Sequence, residues 1–475
     1  MRGVSLHIAV RNLFLLFLFI GLNSSAQFAD KKYYLIDSLD AAALSESDRP
    51  AVDSLLKVYH ASKTDSVRIK SLLSLTYLED VSVWFRYNQL LLKETQRLFE
   101  KKTRTVGEKF LNRVYAKALY NMNYYYAEQN NEDSALKYQR LAIEPFKRSG
   151  DKAGLADTYN AIGSSLSKKG NIEESIKYYQ LSLAISESAG DKGGIAFAYL
   201  SMGHVYRDID EFDKAIEKYR KSLQLFEEVG DAESIADTWN YLGVAYKWNK
   251  DTAASQAAYE NSLKKSIEAG YEYGIATAQL NIGIYLLNKG KYEKAVADFE
   301  QSLAAFKKMQ NPNGIIYCLT NLADACNVTR KYDKAILYGK EALNLSKEIG
   351  YPESILSSSK VLQGAYRKRG LYKEALETTD LYHAMMDSIR DVETQRKALK
   401  AQLDFEKQKE VFELKQEQEN KNLLAEQEKQ RKNVIIVSVV ICFVLVCVFL
   451  VFLYNRFKII QSQKKMIEEK SHQLA

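Results

Sequence analysis

Side chains able to do chemistry must sit close together, and this chain scatters them. Five histidines occur, His7, His60, His204, His383 and His472, none paired with another at metal-ligand spacing, and there is no His-Glu-x-x-His stretch. Cys318 and Cys326 are expected on one helix about 12 Å apart by rise alone, too far for a disulfide. Cys442 and Cys447 fall in an apolar run, where a small apolar filler is the simpler role, although two paired copies of the chain could cross-link there. Residues Gly190-Asp191-Lys192-Gly193-Gly194 follow a helical pattern and lack the Lys-Ser/Thr ending of a phosphate cradle, so they read as a loop between helices. The many carboxylates are dispersed over helix surfaces. No catalytic residue, metal or cofactor is expected.

Residues suited to recognition are better placed. Asn121, Asn160, Asn240, Asn281 and Asn321 recur along the chain; asparagine has no special fitness for helices, but its amide can both donate to and accept from a peptide backbone. Two readings stay open: a ladder gripping an extended ligand, or hydrogen bonds between neighbouring scaffold helices. Tyr120, Tyr124, His204, Arg207, Lys247 and Trp248 are further candidates for a binding groove.

The elements that hold these residues repeat every forty positions. Gly150, Gly190, Gly230, Gly270 and Gly350 keep that spacing, with Gln310 in the missing place. Gly163, Gly203, Gly243 and Gly283 form a second column continued by Ala323, and Ala135, Ser175, Ala215, Ser255, Ala295, Ala335 and Ala375 a third. Tyr179, Tyr219, Tyr259 and Phe299 form a fourth. Asn160 and Asn240 stand three residues before the Gly163/Gly243 column, and Asn121, Asn281 and Asn321 two residues before it. Within residues 191–230, Ile195, Tyr199, Met202 and Tyr206 step by three and four, as one buried helix face requires. Asp208, Ile209 and Asp210 interrupt, and Ala215, Ile216, Tyr219, Leu223 and Phe226 mark a second helix closed by Gly230. A mid-helix glycine loses about 1 kcal/mol relative to alanine; close approach of Gly203 to Ala215 in the partner helix is the expected compensation.

Trp239, Leu242, Gly243, Tyr246, Ser255 and Tyr259, and one unit earlier Tyr199, Met202, Gly203, Tyr206, Ala215 and Tyr219, resemble the tetratricopeptide repeat, at forty residues rather than the family's about 34. The resemblance implies an all-α superhelical solenoid whose first helices line a face that binds peptides or protein segments. Seven units are expected over residues 111–390, preceded over 27–110 by a helical region holding one degenerate repeat as a cap. Leu55 to Tyr59, Ile69 to Leu78 and Trp84 to Phe99 look helical there. Only 4 prolines in 475 residues agree with an all-α chain.

The ends differ from the middle. Residues 1–26, with Arg2, Arg11, an apolar run from Leu13 to Leu22 and Ser24-Ser25-Ala26, read as a cleaved signal peptide. Residues 433–454 contain an uncharged run from Val434 to Tyr454, long enough to span a bilayer, which takes about 20 residues. Between array and span, residues 391–432 hold ten acidic and ten basic residues without glycine or proline, a charged helical stalk or coiled coil of about 63 Å if helical throughout. Residues 455–475 form a cytoplasmic juxtamembrane helix, where Ile460, Ile467 and Leu474 recur every seven residues, as in a parallel dimer. A basic tail lying on anionic lipid is the competing reading. The net charge of +7 is concentrated at these ends, so the middle has no overall electrostatic reason to bind nucleic acid.

Signal, array, charged helix, single span and tail resemble the sensor half of membrane signalling proteins of the Bacteroidota type. That resemblance implies a bacterial inner-membrane protein with a periplasmic array and a cytoplasmic C-terminus, binding a protein or peptide outside and relaying the event inward. It also raises two alternatives: the truncated input half of a histidine kinase or similar enzyme, and a passive envelope scaffold. Ser471-His472-Gln473-Leu474 is similar to the core around a phospho-accepting histidine but lacks the Arg-Thr-Pro that follows in that family, so an ordinary helical residue is expected.

Overall fold

The computed structural model describes residues 31–36, 44–101, 105–129 and 131–473. The expected signal peptide and Leu474 of the tail heptad lie outside the described residues. The chain divides into two units, Met1–Leu399 and Lys400–Ala475.

In the first unit, α1 (Asp48–Ala61), α2 (Asp65–Ser74) and α3 (Val81–Glu100) precede the paired helices. The expected helix from Ile69 to Leu78 stops at Ser74 and tightens into a 3₁₀ turn over Leu75–Tyr77. Leu56, Leu72, Leu75, Tyr87 and Leu91 are fully buried here and join Leu111 and Val114 in one core. Asp48, itself buried, accepts hydrogen bonds from the backbone N–H of Glu79 at 3.0 Å and of Asp80 at 2.9 Å, fixing the entry to α3.

The pairs follow: α4 (Glu108–Glu128) with α5 (Glu132–Ser149), α6 (Lys152–Lys168) with α7 (Ile172–Ala189), and α8 (Lys192–Asp208) with α9 (Phe212–Val229). They continue as α10 (Ala232–Trp248) with α11 (Thr252–Ala269), α12 (Glu272–Asn288) with α13 (Tyr292–Lys308), and α14 (Pro312–Val328) with α15 (Tyr332–Ile349). Next, α16 (Pro352–Arg369) meets the opening of α17 (Tyr372–Gln473) through Leu362, Tyr366, Ala375 and Met385. Each helix packs chiefly on its sequence neighbours, the signature of a solenoid.

Local sequence explains the joints. Asn131, Asp151, Asp191, Asp231, Asp251 and Asn311 each accept, through the side-chain oxygen, the backbone N–H three residues on, at 2.8–3.1 Å. Gly190 has φ +69° and closes α7 in the left-handed conformation, Asp191 caps α8, and Lys192–Gly194 form the first turn of that helix rather than an open loop. A second left-handed register, not anticipated from sequence, sits at the turn inside the pairs from α6/α7 to α16/α17: Gly170, Asp210, Lys250, Gly290, Arg330 and Gly370 all have φ between +61° and +83°.

The mid-helix glycines meet the aromatic column as well as the small column expected. A methyl group on Gly163, Gly203, Gly243 or Gly283 would come within 2.5–2.8 Å of the rings of Tyr179, Tyr219, Tyr259 and Phe299 respectively. The aromatic column thus lies directly over the glycine column. The small third column serves the same contact from one turn away, because Ser175 and Ser255 donate to the carbonyls of Gly163 and Gly243 at 2.6 and 2.8 Å. Cys318 and Cys326 share α14, as expected, buried and unbridged.

In the second unit α17 continues to Gln473. Its segment Lys415–Ile467 reaches a mean hydropathy of 3.6, and it is the one helix among the described residues long and apolar enough to cross a membrane. All side chains from Ile435 to Tyr454 are exposed. Nearer the start of that segment, Glu417–Lys421 and Glu428–Lys432 form ion pairs one turn apart, both at 2.7 Å.

Candidate functional site

The five asparagines do not form one ladder. Asn121 Nδ2 on α4 donates to Thr76 Oγ1 at 2.9 Å and to Asn88 Oδ1 at 3.3 Å, tying α4 to the N-terminal helices. Asn281 on α12 donates to Asn240 Oδ1 on α10 at 2.7 Å, and Asn240 is buried. Asn321 donates to the carbonyl of Tyr317 on its own helix at 2.7 Å. Asn160 on α6 stands apart: it is half-buried, and its Oδ1 is enclosed with no hydrogen-bond partner. Of the five it is the amide with an unfilled polar atom.

The other candidates also divide. His204 lies against Tyr241, ring centroids 4.5 Å apart, and shares a 2.8 Å hydrogen bond between Nδ1 and the Tyr219 hydroxyl. Burial, with the Arg207 charge adding to it, pushes its pKa down to about 3, so the ring is neutral. Arg207 directs Nε and Nη2 to Asp208 Oδ1 at 3.0 and 2.7 Å. Tyr120 is half-buried and its pKa is pushed up to about 12 by burial. Tyr124 and Trp248 are exposed, and Lys247 Nζ lies 5.9 Å from the Trp248 ring centroid. Exposed aromatic side chains that the sequence did not single out, Phe197 on α8 and Tyr317 on α14, occupy one register position three repeats apart.

Lys247 and Asn281 come together at a cavity of about 240 Å³ between α10, α11 and α12, where Tyr259, Ile284, Tyr285 and Lys289 also line the wall. No carboxylate lines it. Tyr259 is 2% exposed and its hydroxyl has no hydrogen-bond partner. Burial pushes its pKa up to about 12, with the adjacent Ser255 hydroxyl pulling the other way. The sequence signal that could have found this place is the tyrosine column read against the position fifteen residues earlier: His204 precedes Tyr219, but Val244 precedes Tyr259 and offers no polar atom. Nearby, the Tyr271 hydroxyl donates to Asp237 Oδ2 at 3.2 Å, where burial raises the Asp237 pKa to about 6. Among the described residues no group of three His, Cys, Asp or Glu could hold a metal ion.

Residues 154–228, 234–308 and 274–348 match the family model of the tetratricopeptide repeat. No curated protein matches the chain. Among solved structures, the apo form of RapI is 13% identical over 73% of this chain and 94% of its own, with a TM-score of 0.51. A signal-transduction ATPase with a tetratricopeptide-repeat sensor from Pyrococcus horikoshii is 16% identical over 74% of this chain and 55% of its own, at 0.47. BtubC from P. vanneervenii is 17% identical over 48% of this chain and 91% of its own, at 0.41. The likeness to RapI is one of fold, and the matched repeats identify the paired helices as a tetratricopeptide-repeat solenoid.

Proposed function

We propose that this tetratricopeptide-repeat chain is a non-enzymatic, single-pass membrane protein that binds a protein or peptide on the exported side and relays the event across the membrane. The observation that carries the anchor is the uncharged run Val434–Tyr454, in which every side chain from Ile435 to Tyr454 is exposed. In this reading residues 1–26 are a signal peptide, 111–390 form seven repeats, 391–432 a stalk and 455–475 a cytoplasmic tail. The array is periplasmic, the span lies in a bacterial inner membrane, and stalk and tail pair two copies of the chain. Ligand contact is assigned to the first helices, where Tyr124, Phe197 and Tyr317 are exposed and Asn160 is half-buried.

The test is topology with function. The full chain, tagged at its C-terminus and expressed in a bacterial host, should stay with membranes after alkaline carbonate. In spheroplasts, added protease should remove the array and spare the tag. Release by carbonate, or loss of the tag with an intact array, would overturn the reading. Deleting residues 455–475 should abolish the response to ligand; an unchanged response would favour the passive scaffold.

A further inference from the structure

We propose that the cavity between α10, α11 and α12 is a binding site for a small organic acid. Its carboxylate would be held by Lys247, Lys289 and the Tyr259 hydroxyl, and its carbon skeleton would lie against Ile284 and Tyr285. This site does not rest on the topology proposed above.

Three observations converge. The first is charge: two lysines line the cavity and no acidic residue does, and the ring contacts of Lys247 with Trp248 at 5.9 Å and Lys289 with Tyr285 at 5.7 Å leave both ammonium groups without an anion. Both lysines stand exposed at the cavity rim, and partial enclosure lowers the Lys247 pKa with no carboxylate opposing it, a shift that a bound anion would reverse. The second is the orphaned phenol. In the same column the Tyr219 hydroxyl is engaged by His204 at 2.8 Å, Ser164 and Ser201 face the Tyr179 hydroxyl, and Phe299 has no hydroxyl to engage. Tyr259 alone of the three tyrosines has a buried hydroxyl with no hydrogen-bond partner at bonding distance, the Ser255 hydroxyl, which itself donates to the Gly243 carbonyl, being its polar neighbour; a buried polar group in that state is disfavoured. The third is size and lining. At about 240 Å³ the space is smaller than the roughly 300–1,000 Å³ of drug-sized sites. The apolar walls of Ile284 and Tyr285 favour a ligand with carbon behind its charge over a bare inorganic anion.

Calorimetry of the full chain in detergent at pH 7 tests this, with benzoate and succinate as probes, inorganic phosphate as comparison, and acetyl-dialanine with a free or amidated end as a further pair. Saturable binding of benzoate or succinate is expected, with phosphate far weaker. Tyr259→Phe removes only an oxygen the fold leaves unbonded, so the melting temperature should hold while affinity falls about tenfold or more. Lys247→Met should weaken binding by a similar factor. Stronger binding of the free-ended dipeptide than of either acid, lost on amidation and in Tyr259→Phe, would overturn the small-acid reading in favour of a chain end. No saturable binding by any carboxylate, phosphate binding as tight as benzoate, or affinity unchanged in both variants would overturn the proposal.

Discussion

Asn281 Nδ2 donates to Asn240 Oδ1 across 2.7 Å, joining the first helices of successive repeats through two residues that sequence alone made candidates for the ligand. Asn240→Ala leaves the Asn281 amide without its acceptor and should cost about 1–3 kcal/mol. The double variant should cost less than the sum of the two single ones. Chemical denaturation of the four proteins in this cycle measures the coupling, and strict additivity would mean that the contact contributes nothing.

Asn160 should behave in the opposite way. Its Oδ1 has no partner in the fold, so Asn160→Ala should leave stability within about 0.5 kcal/mol while weakening capture of the peptide or protein ligand. Combining it with Asn240→Ala and Asn281→Ala should abolish capture but also lower the melting temperature. A triple variant that melts no earlier than the parent would restore the ladder reading of Asn240 and Asn281.

Gly203→Ala should destabilise by about 1–3 kcal/mol, because the new methyl would stand 2.5 Å from the Tyr219 ring. Gly203→Ala combined with Tyr219→Leu, which removes the ring, should lose less than the two single changes together. Melting temperatures of the set are the measure, and a harmless Gly203→Ala would contradict the ring-over-glycine packing.

Lys250 and Arg330 hold φ of +64° and +62° at the turn inside their pairs, a conformation disfavoured for residues bearing a Cβ. Replacing either by glycine should stabilise by roughly 0.5–1 kcal/mol, the relief of strain being partly offset by greater freedom of the unfolded chain. Replacing Gly170 or Gly370 by lysine should do the reverse. Denaturation midpoints check both directions.

Two groups give the array opposite pH responses. His204 has a folded pKa of about 3 against about 6.5 unfolded. Between those values the unfolded chain holds a proton that the folded chain refuses, so this group's stabilisation is complete above about 6.5 and is lost as pH falls toward 3. Asp237, raised to about 6 from 3.8, favours its protonated form in the fold, so its stabilisation is present below 3.8 and lost as pH rises through 6. His204→Gln should flatten the acid limb of a melting-temperature profile, and Asp237→Asn should raise the melting temperature at pH 7. Profiles unchanged by either substitution would refute the assignment.

Periodicity made the array legible before any coordinates. The Gly150 register, the Gly163 column and the aromatic column are identities at fixed spacing, and each marks a real joint or contact. The second left-handed register stayed hidden because Asp210, Lys250 and Arg330 occupy it alongside glycines, so conformation is preserved where residue type is not. The Asp48 cap on α3 was equally invisible, since it joins residues 31 and 32 positions apart. The candidate site was half legible: residue type pointed to Lys247 and Asn281, but only their meeting with the Tyr259 hydroxyl and Lys289 makes a cavity. Pairing among Asn240, Asn281, Asn121 and Asn88 depends on which helices become neighbours, which no single-residue pattern encodes.

The tyrosine column also bears on how such a chain can be edited. With every joint at the same place in a forty-residue frame, a whole frame can be excised without shifting the others. Removing residues 205–244 would place His204 fifteen residues before Tyr259, the separation it now keeps from Tyr219. The imidazole would then stopper the vacant phenol, and one deletion would erase a pocket while leaving the helical grammar intact.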